Sequence, residues 1–351
     1  MPALASLLQR LTKRTPQPHP PRDDWSAAQD FTASLTPKAS AAPRKTQEQP
    51  NPARLAPQAA ALAARLPDLM LQANHLAATL QAGQHGQKRA GSGESFWQYR
   101  QAQPGEPVHH IDWRQSARTA HAYVRETEAQ APQTYLLWCD LTPSMQWRSA
   151  PNLPEKGERA ILLQLALAAY LLRNGEHVRL LTPSGPATPP PAGTPLERLA
   201  LALVGMAKMT TPPFATLPPT SVVPRHARLI IASDFLCDAP LLHATLQHLA
   251  GVPAQAHLVH IADPAEYLLP YKGHITFQGL EHEAPLDLPH VQALQQAYKD
   301  QMSAHTATLH TYASRYGHTL THHTTQNAPL PTLLALQDQM SAHTHHNGGR
   351  V

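Results

Sequence analysis

The sequence predicts an α/β protein built on a doubly wound, mostly parallel sheet that is flanked by helices. Apolar strand-like runs alternate with long helical patterns from residue 134 onwards, and helical crossovers are the usual connection between parallel strands. Hydrophobic residues make up 42% of the 351 residues, which is enough for a sizeable core. One apolar run ends directly at Asp140 and a second is followed by Ser233 and Asp234, and open sheets of this class place their ligand crevice at the carboxyl ends of strands.

Residues 1–54 are expected to form a disordered, basic, Pro-rich tail. They hold eight Lys or Arg and four Asp or Glu, and this excess equals the formal charge of the whole chain, +4. Because the remainder is balanced, nucleic acid is not an expected partner. Leucines between Leu4 and Leu11 fit a short amphipathic helix; a frayed tail is favoured over a peripheral membrane or partner anchor.

Residues 55–133 are expected to contain a helical segment followed by a small β cassette. The helical pattern runs from Leu55 to Gly86, and Pro67 predicts a kink or an interruption. Aromatic residues then gather on both sides of a Pro-Gly turn. Two interpretations of these aromatic residues stay open, a small core with arginines paired to acidic residues or a surface that docks a partner. The aromatic residues of the cassette are Phe96, Trp97, Tyr99, Trp113 and Tyr123.

The main α/β domain is expected to span residues 134–328, with a C-terminal helix and a His-rich tail in residues 329–351. The predicted strands are Thr134–Cys139, His177–Leu181, Arg228–Ala232, Ala256–Ile261, His274–Phe277 and His318–His322. The predicted helices are Glu155–Arg173, Leu196–Met209, Ala239–Ala250, Pro289–Tyr316 and Pro331–Met340. We interpret the histidines at 322, 323, 343, 345 and 346 as solvated rather than metal-binding, since no HExxH or paired-cysteine spacing accompanies them.

Cellular location is predicted from what the sequence contains and lacks. Two cysteines near strand ends suit a reducing compartment. No apolar run reaches the roughly 18 residues that a bilayer span requires, and the first residues do not resemble a secretory signal. We therefore expect a cytoplasmic protein.

The stretch Asp140-Leu141-Thr142-Pro143-Ser144 is the candidate functional loop. Mg²⁺ prefers oxygen ligands and binds through one or two carboxylates, so an aspartate followed by two hydroxyls forms a plausible metal site. Asp234 follows a second predicted strand and would lie at the same edge of the sheet. Asp238 is a less well placed competitor, and Asp234 could instead cap the helix that begins near Ala239.

The order and spacing of several short motifs resemble one known bacterial family. The motifs are Gly91–Phe96, Pro104-Gly105-Glu106, Ile111-Asp112-Trp113-Arg114, Ala117-Arg118, Val124-Arg125-Glu126 and Asp140–Met145. Together they resemble the family called domain of unknown function 58. The resemblance implies a von Willebrand factor A-like domain with a metal-ion-dependent adhesion site, and an association with MoxR-type AAA+ ATPases.

The resemblance also implies a set of metal ligands. Asp140, Thr142 and Ser144 match its first metal-site element, with Thr142 where the pattern usually has Ser, and Asp234 matches the later aspartate. Thr216 is the predicted further hydroxyl ligand; residues 210 and 211 are rival threonines, and no Gly precedes any of the three as the family loop usually has. The implied metal is Mg²⁺, with Mn²⁺ or Ca²⁺ as alternatives.

We therefore expect a non-catalytic, metal-dependent interaction protein that acts as an adaptor or co-chaperone of a MoxR-type ATPase. The alternative is a metal-assisted hydrolase or phosphatase that uses Asp140. A phosphatase of the Asp-x-Asp type requires a second carboxylate where this chain has Thr142. The chain also contains no Walker A motif, so ATP hydrolysis by the chain itself is not expected.

Overall fold

A computed structural model of the protein describes residues 52–86, 96–103, 107–108, 111–119, 121–127, 132–187, 192–207, 215–252, 254–277 and 285–347. Its first element is α1 (Pro52–Gly86). Three residues of the predicted tail are therefore helical, and proline is well suited to a first helical turn. The interruption predicted at Pro67 is wrong because α1 is continuous; Pro67 lies on the exposed face while Leu66 and Leu69 are buried.

The β cassette is present as a short antiparallel ribbon. Strand β1 (Phe96–Gln101) pairs with β2 (Tyr123–Thr127), and the four-residue helix α2 (Trp113–Ser116) lies between them in sequence. Asp112 caps α2 by accepting hydrogen bonds from two backbone N–H groups of its first turn. The Trp113 side chain is 60% exposed, so the small-core interpretation is wrong for this residue. The Pro-Gly turn lies outside the described residues.

The main domain alternates strands and helices as predicted. Its strands are β3 (Thr134–Cys139), β4 (His177–Thr182), β5 (Gly185–Pro186), β6 (Arg228–Ser233), β7 (Gln255–Ala262), β8 (Ile275–Phe277), β9 (Leu286–Leu288) and β10 (Thr319–Thr324). Its helices are α3 (Lys156–Arg173), α4 (Pro195–Ala207), α5 (Ala239–Gly251), α6 (Pro264–Leu268), α7 (Gln295–Arg315) and α8 (Pro329–Asn347).

Six strands form the central sheet in the order β10-β7-β6-β3-β4-β5. All neighbours are parallel except β5, which pairs antiparallel with β4 at one edge. The prediction of a mostly parallel sheet is thereby confirmed. The predicted strand His274–Phe277 does not join this sheet, because β8 pairs with β9 in a separate ribbon over a small apolar cluster around Phe277 and Tyr298.

Apolar side chains cover both faces of the sheet. Leu137 and Cys139 of β3 point to the face covered by α1, α3, α4 and α8, while Leu136 and Trp138 point to the face covered by α5 and α7. The same alternation buries His323 of β10 to 2% exposure against Thr332, so the expectation of a solvated histidine is wrong there. None of the helices within the described ranges combines the length and hydropathy that crossing a bilayer requires.

Candidate functional site

The loop that follows β3 begins with a fully buried carboxylate. One oxygen of Asp140, Oδ1, accepts a hydrogen bond from the Thr142 backbone N–H at 2.9 Å. The other, Oδ2, accepts from the Ser233 hydroxyl at 2.7 Å, and Ser233 Oγ itself accepts from the Phe235 N–H at 3.0 Å. The hydrogen bond between Asp140 and Ser233 therefore joins the loop after β3 to the end of β6.

Two hydroxyl groups lie next to this carboxylate. Thr142 and Ser144 flank the start of a short 3₁₀ turn, Pro143–Met145, and their hydroxyl oxygens are 2.9 Å apart. Both residues are buried. Helix α3 approaches the turn closely at Gly157, where a Cβ atom would lie 3.3 Å from the Met145 carbonyl oxygen. A glycine at this position lets the helix pack against the loop.

Asp234 follows β6 and lies beside the same loop. Its Oδ1 accepts from the Leu236 N–H at 3.1 Å and its Oδ2 accepts from Lys156 Nζ at 2.9 Å. The Ser144 hydroxyl also donates to this carboxylate. Asp234 is not the cap of α5, since that position is held by Asp238. The structure thus brings together four of the predicted site residues.

Thr216, the predicted fifth ligand, is half-buried in the loop that precedes β6. Its described hydrogen bond is at the carbonyl oxygen, which accepts from Trp138 Nε1 at 3.1 Å. The rival threonines at 210 and 211 lie outside the described residues. The identity of a further hydroxyl ligand therefore stays a prediction.

Sequence reasoning missed three residues that shape this site: Ser233, Lys156 and Glu266. Lys156 is 1% exposed, and its Nζ lies 2.9 Å from Asp234 Oδ2 and 2.6 Å from Glu266 Oε1. It is the first residue of α3, where the helix dipole disfavours a cation. A lysine at a predicted helix start was therefore the one sequence feature that pointed to an acidic partner. Glu266 belongs to the capping box of α6 with Asp263. Its sequence pattern therefore indicates a helix start and gives no sign of the ion pair with Lys156.

Burial controls the protonation of these groups. Desolvation, and then the charge of Asp234, raise the pKa of Asp140 to about 7. Burial also acts to raise the pKa of Asp234, but the Lys156 ammonium outweighs it and holds that pKa below its ordinary value. For Glu266 burial prevails over Lys156, and the pKa is raised. Burial opposes the charge on Lys156, yet its two carboxylate partners prevail and raise its pKa.

The donor set around Asp140 suits a hard cation. Carboxylate and hydroxyl oxygens are the ligands that Mg²⁺ and Ca²⁺ prefer, and the described hydrogen-bond partners of Asp140 are a backbone N–H and hydroxyl groups. Across the described ranges, no three His, Cys, Asp or Glu side chains converge as a metal-binding group. The oxygen donors at this loop are the Asp140 carboxylate and the hydroxyls of Thr142 and Ser144.

The fold and this loop define an α/β protein with a carboxylate and paired hydroxyls at the carboxyl edge of a parallel sheet. A family model described as "Protein of unknown function DUF58" matches residues 98–308. This match spans more than half of the chain and runs from β1 into α7, so the protein belongs to the DUF58 family. Searches of curated proteins and of solved structures gave no match.

Proposed function

We propose that the protein is a non-catalytic interaction module with a von Willebrand A-like domain, which binds a divalent cation and through it an acidic group of a protein partner. The observation that carries this proposal is the 2.9 Å contact between the Thr142 and Ser144 hydroxyls beside two buried carboxylates. A buried cluster of this kind presents oxygen donors at the edge of the sheet where ligands of such folds bind.

Asp140, Thr142 and Ser144 are the residues that would hold Mg²⁺, with Mn²⁺ or Ca²⁺ as alternatives. The family resemblance adds Asp234 and Thr216 to this set. When bound, the cation would supply an electrophilic anchor for a carboxylate. Neutral hydroxyls leave much of a divalent charge uncompensated, and a carboxylate of the partner could compensate it. Thr142 stands where phosphoryl chemistry would require a second carboxylate, which favours binding over turnover.

The partner class that we propose is a MoxR-type AAA+ ATPase, for which the protein would act as an adaptor or co-chaperone. Support for this partner comes from the family resemblance. The exposed Trp113, with Arg114 next to it on α2, offers a second contact surface outside the metal loop. Large exposed aromatic residues beside arginine are typical of protein interfaces.

The test is a pull-down of the purified ATPase with the full chain, with Mg²⁺ and with EDTA. We expect binding in Mg²⁺ that is lost in EDTA and in Asp140→Ala. Asp238→Ala is the matched control, because this nearby aspartate is exposed. Binding that persists in EDTA and in Asp140→Ala would contradict the mechanism. Turnover of phosphate esters that needs Mn²⁺ and Asp140 would favour the hydrolase alternative instead.

A further inference from the structure

Lys156 places a permanent cation inside the candidate metal site. Its ammonium group donates to Asp234 Oδ2 at 2.9 Å and to Glu266 Oε1 at 2.6 Å. These two carboxylates follow neighbouring strands, β6 and β7, and Lys156 begins α3. The Lys156 side chain therefore connects the start of α3 with the segments after β6 and β7, next to the predicted metal site.

The placement of Lys156 is unfavourable unless its partners are ionised. Only 1% of the residue is exposed, and a buried ammonium requires paired and hydrogen-bonded partners. Its position at the start of a helix adds repulsion from the helix dipole. The two carboxylates compensate for both effects, so the lysine and the acidic residues form one electrostatic unit.

Both oxygens of Asp234 accept hydrogen bonds, and one of the two donors is the Lys156 ammonium group. Oδ1 accepts from the Leu236 backbone N–H, and Oδ2 accepts from Lys156. Asp140 has no such cation: its described partners are a backbone N–H and the hydroxyls of Ser233 and Thr142. Asp140 and Asp234, which the sequence predicts as equivalent metal ligands, therefore differ: Asp234 has a cationic partner, and the described partners of Asp140 are neutral.

We propose that Lys156 is the resident counter-ion of Asp234 and sets the affinity of the site for divalent cations. The lysine withholds Asp234 from the metal, which leaves a site of one carboxylate, Asp140, with the hydroxyls of Thr142 and Ser144. This inference rests on the proposed metal site and specifies its ligands and strength. Removing the lysine charge frees a second carboxylate and relieves repulsion between two cations.

The experiment is a titration with Mn²⁺, followed by the electron paramagnetic resonance signal of the free aqueous ion. The full chain is compared with Lys156→Met and with Lys299→Met, a control in which an exposed lysine of α7 is removed. Lys156→Met is expected to lower the Kd for Mn²⁺ by roughly tenfold or more, because one unit of positive charge is lost within contact distance of a ligand. Lys299→Met is expected to leave the Kd unchanged.

A second variant separates the availability of the Asp234 carboxylate from the net charge of the site. The double variant Lys156→Met with Glu266→Gln has the same formal charge as the wild type, since one positive and one negative group are removed together. Asp234 has lost its cationic partner in this variant, so the Kd for Mn²⁺ is again expected to fall below the wild-type value. A tighter site at equal net charge would show that ligand availability, and not charge alone, limits metal binding.

The outcomes separate this inference from the proposed function. Tighter binding in both Lys156 variants supports the inference, whether or not the wild type binds Mn²⁺ detectably. Absence of binding in the wild type, together with binding in the variants, would contradict a metal-dependent function while supporting the role of Lys156. Equal Kd values in the wild type and the variants would overturn the role of Lys156 alone. Absence of binding in all of them would overturn both.

Discussion

Replacement of Lys156 by methionine should strongly destabilise the protein in the absence of divalent metal. Methionine has a similar length, so the change removes the charge and its hydrogen bonds without a large cavity. Asp234 and Glu266, 2% and 5% exposed, would be left as buried carboxylates without their cation. Breaking a buried pair by removing one partner costs about 3–5 kcal/mol, a large share of the roughly 5–15 kcal/mol that stabilises a typical domain.

The chain offers an exposed ion pair as the matched control. Arg65 Nη1 and Glu158 Oε2 are 2.7 Å apart, but their side chains are 50% and 21% exposed. An exposed pair contributes about 0–1 kcal/mol, so Arg65→Met is expected to have little effect. Both variants remove one cation from a short contact, and they differ in burial.

Urea unfolding at pH 7 in EDTA, followed by circular dichroism and tryptophan fluorescence, measures the free energy of unfolding of each variant. We expect Lys156→Met to lower the free energy of unfolding by several kcal/mol more than Arg65→Met does. A loss for Lys156→Met within about 1 kcal/mol of the control would refute it, because the buried carboxylates would then not depend on the lysine.

Three further predictions concern the loop around Asp140. Because its pKa is raised to about 7 from an ordinary value of 3.8, the protonated form is favoured by folding, and stability from this residue is lost as pH rises between those values. In EDTA, the free energy of unfolding of Asp140→Asn should therefore rise relative to that of the wild type by about 1.4 kcal/mol per pH unit between pH 5 and 7. If urea unfolding shows a difference between the two proteins that does not change with pH, this prediction is contradicted. Ser233→Ala should cost about 1–3 kcal/mol by leaving the Phe235 N–H and Asp140 Oδ2 without their partner, and a thermal midpoint equal to that of the wild type would argue against it. Gly157→Val should weaken Mn²⁺ binding, since its side chain would displace the Met145 carbonyl only 3.3 Å from the Cβ position; an unchanged Kd would show that the loop tolerates the shift.

The sheet could be predicted because its strands are short apolar runs bounded by polar residues. The predicted strand Thr134–Cys139 has the same bounds in the structure, and α5 begins at the predicted Ala239. The strand that contains Phe277 was predicted, but it was assigned to the wrong sheet. A strand of three residues carries little information on which sheet it joins. The interruption at Pro67 was wrong because burial of the opposite face of α1 stabilises the helix through the proline.

The candidate site could be predicted only in part. Parallel strands end at one edge, and this rule placed Asp140 and Asp234 together from sequence. The contacts of Lys156 lie 78 and 110 residues away in sequence and depend on tertiary packing that no local pattern encodes. Ser233 was missed because a serine before an aspartate has no distinctive spacing.

The most direct test of a metal-dependent interaction is the affinity of the full chain for the purified ATPase, measured by calorimetry in Mg²⁺ and in EDTA. Thr142→Val is the decisive variant, because valine keeps the shape of threonine and removes the hydroxyl. We predict that EDTA and Thr142→Val each weaken binding by roughly tenfold or more, a loss of at least about 1.4 kcal/mol. The same Kd in Mg²⁺, in EDTA and in Thr142→Val would contradict the proposal that this loop binds a partner through a cation.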